Sequence, residues 1–440
     1  MAILGGMSPS GRNAASRQPL ALAADERGRV REVPGRAAAV RVGARIRRLD
    51  ANELIPLPPG AGLLLMPGRR ALGFRRGADV PDLLDGQAVA AFVPPGHLVT
   101  SLAAGRAGDD APLLPLHTYA AVAWWRGRLQ VAARRVDSDP RHDPDRFDPE
   151  RVRRAVERGL RRFGGNRLMV HHGRNCALRY ACPNARNLFL RRWEAPAAVS
   201  AECNTACLGC ISHQPASGPP SAQPRLDFVP EAGEIVELGL WHLERAPAAM
   251  LSFGQGCEGE PLCRAGLIAE AVNAIRKRCQ RGTIHLNSNG TLPQALERCI
   301  DAGLDSLRVS LPAARREYFS AYRQQVGPGL ETVRQSLRLA RRRGLFVSLN
   351  LLAFPGVSDD PREVEALEQL LDECRPDMIQ WRNLNIDPDF YLEHLARHGL
   401  SAATQPLGML ALLERLHRRY PRLRQGSFNP PLGKRQTTPE

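Results

Sequence analysis

Residues 202–215 read ECNTACLGCISHQP, placing three thiols, Cys203, Cys207 and Cys210, within eight positions, with His213 the next nitrogen donor. Clustered thiolates in a reducing compartment point to metal chemistry, and this spacing admits two kinds. With His213 as fourth ligand the loop would close a zinc tetrahedron, although structural zinc sites usually pair a tight C-x2-C with a distant second pair. As three ligands alone, the cysteines would grip three corners of an iron–sulfur cube and leave one iron for a small molecule. A disulfide would use only two of them and would be reduced in a cytosol.

SFGQGCEGEP, residues 252–261, is the second stretch with chemical content. Its Gly254, Gly256 and Gly259 have the G-x-G-x-x-G spacing of a dinucleotide loop. Electrostatics rejects that use, because Glu258 and Glu260 would lie where a pyrophosphate needs donors. The next apolar run, TIHLN, also ends in Asn287 where an acid for the ribose is expected.

These motifs punctuate a regular alternation. APAAVSAEC, AAMLSFG, TIHLNSNG, SLRVSLP, FVSLNLL and MIQWRNL are six short apolar runs, each followed by a polar or glycine-bearing turn. Helical segments separate most of them. Leu267, Ile268, Val272, Ile275 and Cys279 follow a 3.6-residue period, as do Leu330, Val333, Leu337 and Ala340 before Gly344. Asp360 reads as an N-cap with Pro361 at the first helical position and Val364, Leu367, Leu371 and Cys374 inward. The alternation predicts parallel strands with right-handed crossovers, in an open sheet or an incomplete barrel with chemistry at the strands' carboxyl ends. Upstream, short apolar runs broken by Gly and Pro predict a β-rich domain. The expected layout is a flexible tail over 1–35, a β-rich domain ending in a basic helix over 36–165 and a connecting segment over 166–196. The α/β core over 197–400 and a C-terminal helix and tail over 401–440 complete it.

CNTACLGC has the C-x3-C-x2-C form and resembles the radical S-adenosylmethionine (radical SAM) enzymes, over about residues 197–400. The resemblance implies a partial (β/α)6 TIM-type barrel and a [4Fe–4S] cluster on Cys203, Cys207 and Cys210. It also implies S-adenosylmethionine as cofactor, cleaved to a 5′-deoxyadenosyl radical that abstracts hydrogen from a substrate, and an electron donor such as flavodoxin or ferredoxin. SFGQGCEGEP is similar to the family's Gly-Gly-Glu-Pro motif, with Glu258 replacing the first glycine. Gly259, Glu260 and Pro261 would then meet the cofactor, Glu260 through its amino group. Asn287, Asn289, Ser310 and Asn350 stand at strand ends where members contact it, and Arg382 could clamp a carboxylate. One departure is Gly209, where members carry an aromatic residue near the adenine.

In MIQWRNLNIDPDFY, Gln380, Arg382, Asn383, Asn385, Asp387 and Asp389 are expected at the barrel mouth as substrate groups. Cys279, Cys299 and Cys374 fall on apolar helix faces and read as core. Cys176 and Cys182 share a C-x5-C spacing with Cys257 and Cys263, which raises an auxiliary metal site on these four or on Cys176, Cys182 and the His171–His172 pair. The expected topology works against the four-cysteine version, since Cys257 belongs at the top of the barrel and the segment before the first strand at its bottom. The net charge of +16 admits a nucleic-acid partner, but 5% aromatic residues leave few stacking platforms, so it is not favoured. No run suits a membrane span, and the N-terminus lacks a signal-peptide pattern, which predicts a cytoplasmic enzyme. The rival reading is a non-catalytic zinc protein on Cys203, Cys207, Cys210 and His213 with a nucleic-acid-binding N-terminal half.

Overall fold

The computed structural model describes residues 18–324 and 329–432. Each apolar run after residue 193 becomes a strand, and all pair in parallel in sequence order: β1 (Glu194–Pro196), β2 (Met250–Phe253), β3 (Thr283–Ser288), β4 (Ser306–Leu311), β5 (Phe346–Ala353), β6 (Met378–Asn383) and β7 (Arg424–Gly426). Sequential order with helical crossovers makes a curled, partly closed sheet, the half-barrel that the family resemblance implies and one of the two arrangements the alternation allows. The seventh strand is a correction. Arg424–Gly426 lies in what reads as a C-terminal tail, and it pairs with Met378–Gln380 because β6 would otherwise leave an open edge. The first strand is also shorter than APAAVSAEC suggests: only residues 194–196 ladder, and Ala197–Ser200 continue fully buried without strand pairing.

The crossover helices bury the faces their periodicity marks. Helix α1 (Ala265–Arg278) buries Ile268, Val272 and Ile275. Helix α2 (Arg316–Arg323) is short and ends under the cysteine loop. Helix α3 (Leu330–Arg342) buries Leu330, Val333, Leu337 and Ala340. Helix α4 (Pro361–Cys374) starts with Asp360 accepting from the Arg362 amide and Pro361 at N1, and buries Val364, Leu367, Leu371 and Cys374. Cys279, Cys299 and Cys374 are core residues, 7%, 0% and 2% exposed.

The N-terminal region is a separate antiparallel sheet of eleven strands between Leu20 and Arg135. Part of the expected tail belongs to it. LALAA at 20–24 is a wholly buried strand paired with residues 30–37, while residues 1–17 lie outside the described residues. The sequence around it is dominated by Gly, Ser and Arg, which hides a five-residue strand in a composition average. The hairpin at Trp125–Arg128 turns on Arg126 and Gly127, both at positive φ, the backbone a two-residue turn requires.

The polar end of β6 does not line the mouth as expected; half of it docks this sheet. Asn383 accepts from the Val99 amide and donates to the His97 carbonyl. Asp387 takes the Leu114 amide and a buried ion pair with Arg69, the two side chains 2% and 4% exposed. Asp389 pairs with Arg41. Gln380 points into the barrel, where its amide joins Arg308, Ser348 and Asn429. The segment over 166–196 is likewise not a mere connection: it forms helices at 167–170 and 183–189 around a π-helical stretch, His171–Arg179.

Candidate active site

At the carboxyl end of β1 the chain crosses the turn after β2. The Gly259 amide donates to the Ser200 carbonyl and the Glu260 amide to the Glu202 carbonyl, both at 2.7 Å. Gly259 is required by proximity: a Cβ there would sit 1.9 Å from the Glu202 carbonyl oxygen. Glu258 completes the clamp, its carboxylate accepting from the amides of Val199 (2.7 Å), Ser200 (3.0 Å) and Gln255 (2.6 Å). Here lies the reason for an acid in place of a glycine: three backbone donors at a buried crossing need an acceptor. Burial nevertheless pushes the Glu258 carboxyl up to about 7, against the amides that favour its charge.

The cysteine loop that follows is held from beneath by α2. The Ala206 amide donates to the Arg323 carbonyl and the Leu208 amide to the Tyr322 carbonyl, satisfying carbonyls that a helix end leaves open. Arg323, 1% exposed, donates in turn to the carbonyls of Asn289 and Ser310, tying the ends of β3 and β4. Asn385 donates to the Gly209 carbonyl, and Asn204 links the loop to Asn289 and Thr291.

None of the three thiols is in a disulfide, and all are partly accessible. The Thr205 hydroxyl lies 3.4 Å from both Cys203 Sγ and Cys207 Sγ. Arg225 approaches Cys210 Sγ at 3.6 Å. Burial pushes the Cys203 thiol up, with Thr205 opposing. Arg382 donates to the Tyr322 hydroxyl at 2.7 Å. Burial works against its charge, but Tyr322 and the thiols of Cys207 and Cys210 outweigh that and hold it above the ordinary guanidinium range.

Zinc would draw its thiolates to about 3.8 Å from one another. Among the described residues no three of Cys203, Cys207, Cys210 and His213 bring their ligand atoms within 4.8 Å, and His213 is exposed. The four-ligand zinc reading is not supported. Three thiols spread along a backbone-pinned loop fit a cluster in which each thiolate holds its own iron.

Glu260, 3% exposed, accepts from Leu262 N and Ser288 Oγ at one oxygen and from Asn289 N at the other. A carboxylate has four acceptor positions, so one remains. Its pKa is raised by burial, against these donors. Pro261 begins the short helical turn that Glu260 caps. Asn287 engages its amide with the Phe253 carbonyl and His285, so it shapes the β3 end. Asn289 bonds Asn204 and Thr291. Ser310, Asn350 and Gln380 stand in register across β4, β5 and β6, the first two half-buried. At Gly209 a Cβ would meet the Tyr322 hydroxyl, Ile386 and Asn385 within 3.0 Å, so the space beside it is already filled by these side chains. Sequence reasoning missed Tyr322, Arg323, Arg225 and the clamp role of Glu258. Only Glu258 carried a signal, as an acid inside a glycine motif.

Residues 198–367 match the family model of the Radical SAM superfamily. The chain is 29% identical over 178 residues to the GTP 3′,8-cyclase of Chlorobaculum tepidum, covering 40% of this chain and 49% of that protein. It thus spans about half the length of that relative. Among solved structures it is similar to a radical SAM methyltransferase from Sphaerobacter thermophilus (17% identity, 47% of this chain and 64% of that one, TM-score 0.31). It is also similar to SuiB of Streptococcus suis bound to precursor peptide SuiA (13%, 64% and 66%, TM-score 0.36). No helix among the described residues is long and apolar enough to cross a membrane. The thiol loop, the glycine–glutamate turn and strands β2 to β5 of the parallel sheet thus lie in a segment, residues 198–367, that belongs to the Radical SAM superfamily of enzymes, whose cofactors are a [4Fe–4S] cluster and S-adenosylmethionine.

Proposed function

We propose that Cys203, Cys207 and Cys210 hold a [4Fe–4S] cluster that reductively cleaves S-adenosylmethionine, giving a 5′-deoxyadenosyl radical that takes a hydrogen atom from a substrate still to be identified. The observation that carries this is the crossing of loop and turn: the loop that bears three partly accessible, unbridged thiols runs against the Gly259–Glu260 backbone at the carboxyl ends of β1 and β2, Cys203 next to the crossing. The remaining acceptor position on Glu260 takes the cofactor's ammonium, a charge-assisted bond in a site shielded from water. Gly259, Pro261 and Asn287 shape the turn. Asn289, Ser310 and Asn350 offer polar groups at successive strand ends, and Arg382 takes the cofactor's carboxylate or a substrate anion. The protein's work is to bind, orient and exclude water and oxygen. All ten cysteines are free, which suits a cytoplasmic enzyme served by a flavodoxin or ferredoxin.

Anaerobic purification tests the reading. The expected protein is brown, carries about four irons per chain and releases 5′-deoxyadenosine from S-adenosylmethionine when reduced with dithionite. Cys203→Ala abolishes that release and Cys279→Ala leaves it intact. Colourless protein, or release that survives Cys203→Ala, refutes the assignment.

A further inference from the structure

Away from the cysteine loop, His171, Cys176 and Cys257 form a second cluster of donors. Their ligand atoms all lie within 4.8 Å of one another. The two sulfurs are 3.8 Å apart and both residues are buried, 3% and 6% exposed. Tetrahedral zinc with bonds of about 2.3 Å to sulfur sets two thiolates about 3.8 Å apart, so the pair already has the spacing of two ligands on one ion. His171 brings one ring nitrogen into this group, and its Nε2 is buried without a hydrogen-bond partner.

The backbone explains how the first two donors meet. Cys176 lies five positions after His171, and on an α-helix that spacing turns side chains about 140° apart. The segment His171–Arg179 is wound as a π-helix, whose i→i+5 bonding returns residue i+5 to the side of residue i. A rare, costly winding is thus placed where it turns a histidine and a cysteine toward the turn after β2. Cys257 arrives there from the barrel top. The expectation that topology keeps the two segments apart is corrected by the contact of Cys176 with Cys257; Cys182 and Cys263 are not in this group.

We propose that His171, Cys176 and Cys257 bind a single soft divalent cation, zinc by its ligand chemistry, that fastens the N-terminal helical segment to the turn bearing Glu258 and Gly259. Cys257 immediately precedes Glu258, and its carbonyl accepts from Leu226, so a cation here braces the clamp under the cysteine loop from outside the barrel. The site rests on none of the assignments made for Cys203, Cys207 and Cys210.

Metal content of the full-length protein tests it. Anaerobically purified protein is expected to hold about one zinc per chain, which resists dialysis. The Cys203→Ala/Cys207→Ala/Cys210→Ala variant should lose its iron and keep that zinc. Replacement of the zinc by Co2+ in that variant should give the intense near-ultraviolet thiolate-to-cobalt bands. Cys176→Ser and His171→Ala should each weaken Co2+ binding by at least about tenfold, with circular dichroism reporting the fold. Absence of bound metal and of thiolate-to-cobalt bands overturns the proposal. So does full metal retention in Cys176→Ser, or alkylation mapping that finds Cys176 and Cys257 joined as a disulfide in the purified protein.

Discussion

An alanine at position 259 would place its Cβ 1.9 Å from the Glu202 carbonyl oxygen, 2.5 Å from its carbon and 3.1 Å from the Cys203 nitrogen. All three neighbours are backbone, so no side chain can rotate aside. Reaching the ordinary contact distance of 3.4 Å requires the Glu202 carbonyl to retreat by about 1.5 Å. That movement breaks the bonds from Gly259 N to Ser200 O and from Glu260 N to Glu202 O, each 2.7 Å in the native crossing. Their loss costs about 2 kcal/mol if the loop swings free, and overpacking adds about 1–3 kcal/mol if it does not. The loop is expected to yield, because β1 below it stays paired with Ser252. Cluster-free Gly259→Ala should then melt about 4–8 °C lower, while Cys203 is displaced by more than a metal–thiolate bond tolerates. Anaerobic reconstitution followed by iron analysis is the assay, with less than about one iron per chain expected against about four in the native protein. Gly266→Ala is the control: nothing lies within 4 Å of its Cβ, and alanine on a helix gains about 1 kcal/mol over glycine. If Gly259→Ala takes up native iron and cleaves S-adenosylmethionine at the native rate, the turn does not position the cysteine loop.

Two further predictions concern the frame. Burial pushes the Glu363 carboxyl from 4.5 to about 7, against the Ala314 and Arg315 amides it accepts, so the fold favours its neutral form. Its contribution is complete below the unfolded pKa and is lost as pH rises through the folded one. Urea titrations between pH 4.5 and 8 should therefore show native stability falling by about 3 kcal/mol relative to Glu363→Gln, and parallel curves would refute this. Asp387→Ala leaves Arg69 buried and unpaired, at an expected cost of about 3–5 kcal/mol. Thermal unfolding should show that loss, and limited proteolysis should cut faster between the N-terminal sheet and the barrel; unchanged melting would mean the pair does not fasten them.

The helix faces were legible because their cause is local. Asp360, Pro361 and the 3.6-residue row behind them state a helix whatever surrounds it, and α4 is that helix. The strand ends were legible for the same reason, since a polar or glycine-bearing turn interrupts each apolar run, although Asn287, Ser288 and Asn289 at the end of β3 are themselves buried. The missed strand at Leu20–Ala24 shows the limit: five apolar residues form a strand only because Glu32, Arg31 and Val30 run beside them. Asn383, Asp387 and Asp389 show another. Polar residues at a barrel mouth serve a substrate or a neighbouring domain equally well, and only the presence of His97, Arg69 and Arg41 decides for the domain.

By itself the sequence determined which side chains can do chemistry and in what order they come, three thiols on one loop and then a carboxylate behind glycine. Thiol spacing along a short loop constrains ligand choice before any folding. Tertiary structure alone decided what holds that loop: Tyr322 and Arg323 under it, Glu258 across it, and Cys257 meeting Cys176 across 81 positions of chain. Contacts at such separations follow from how layers pack, and no local period records them.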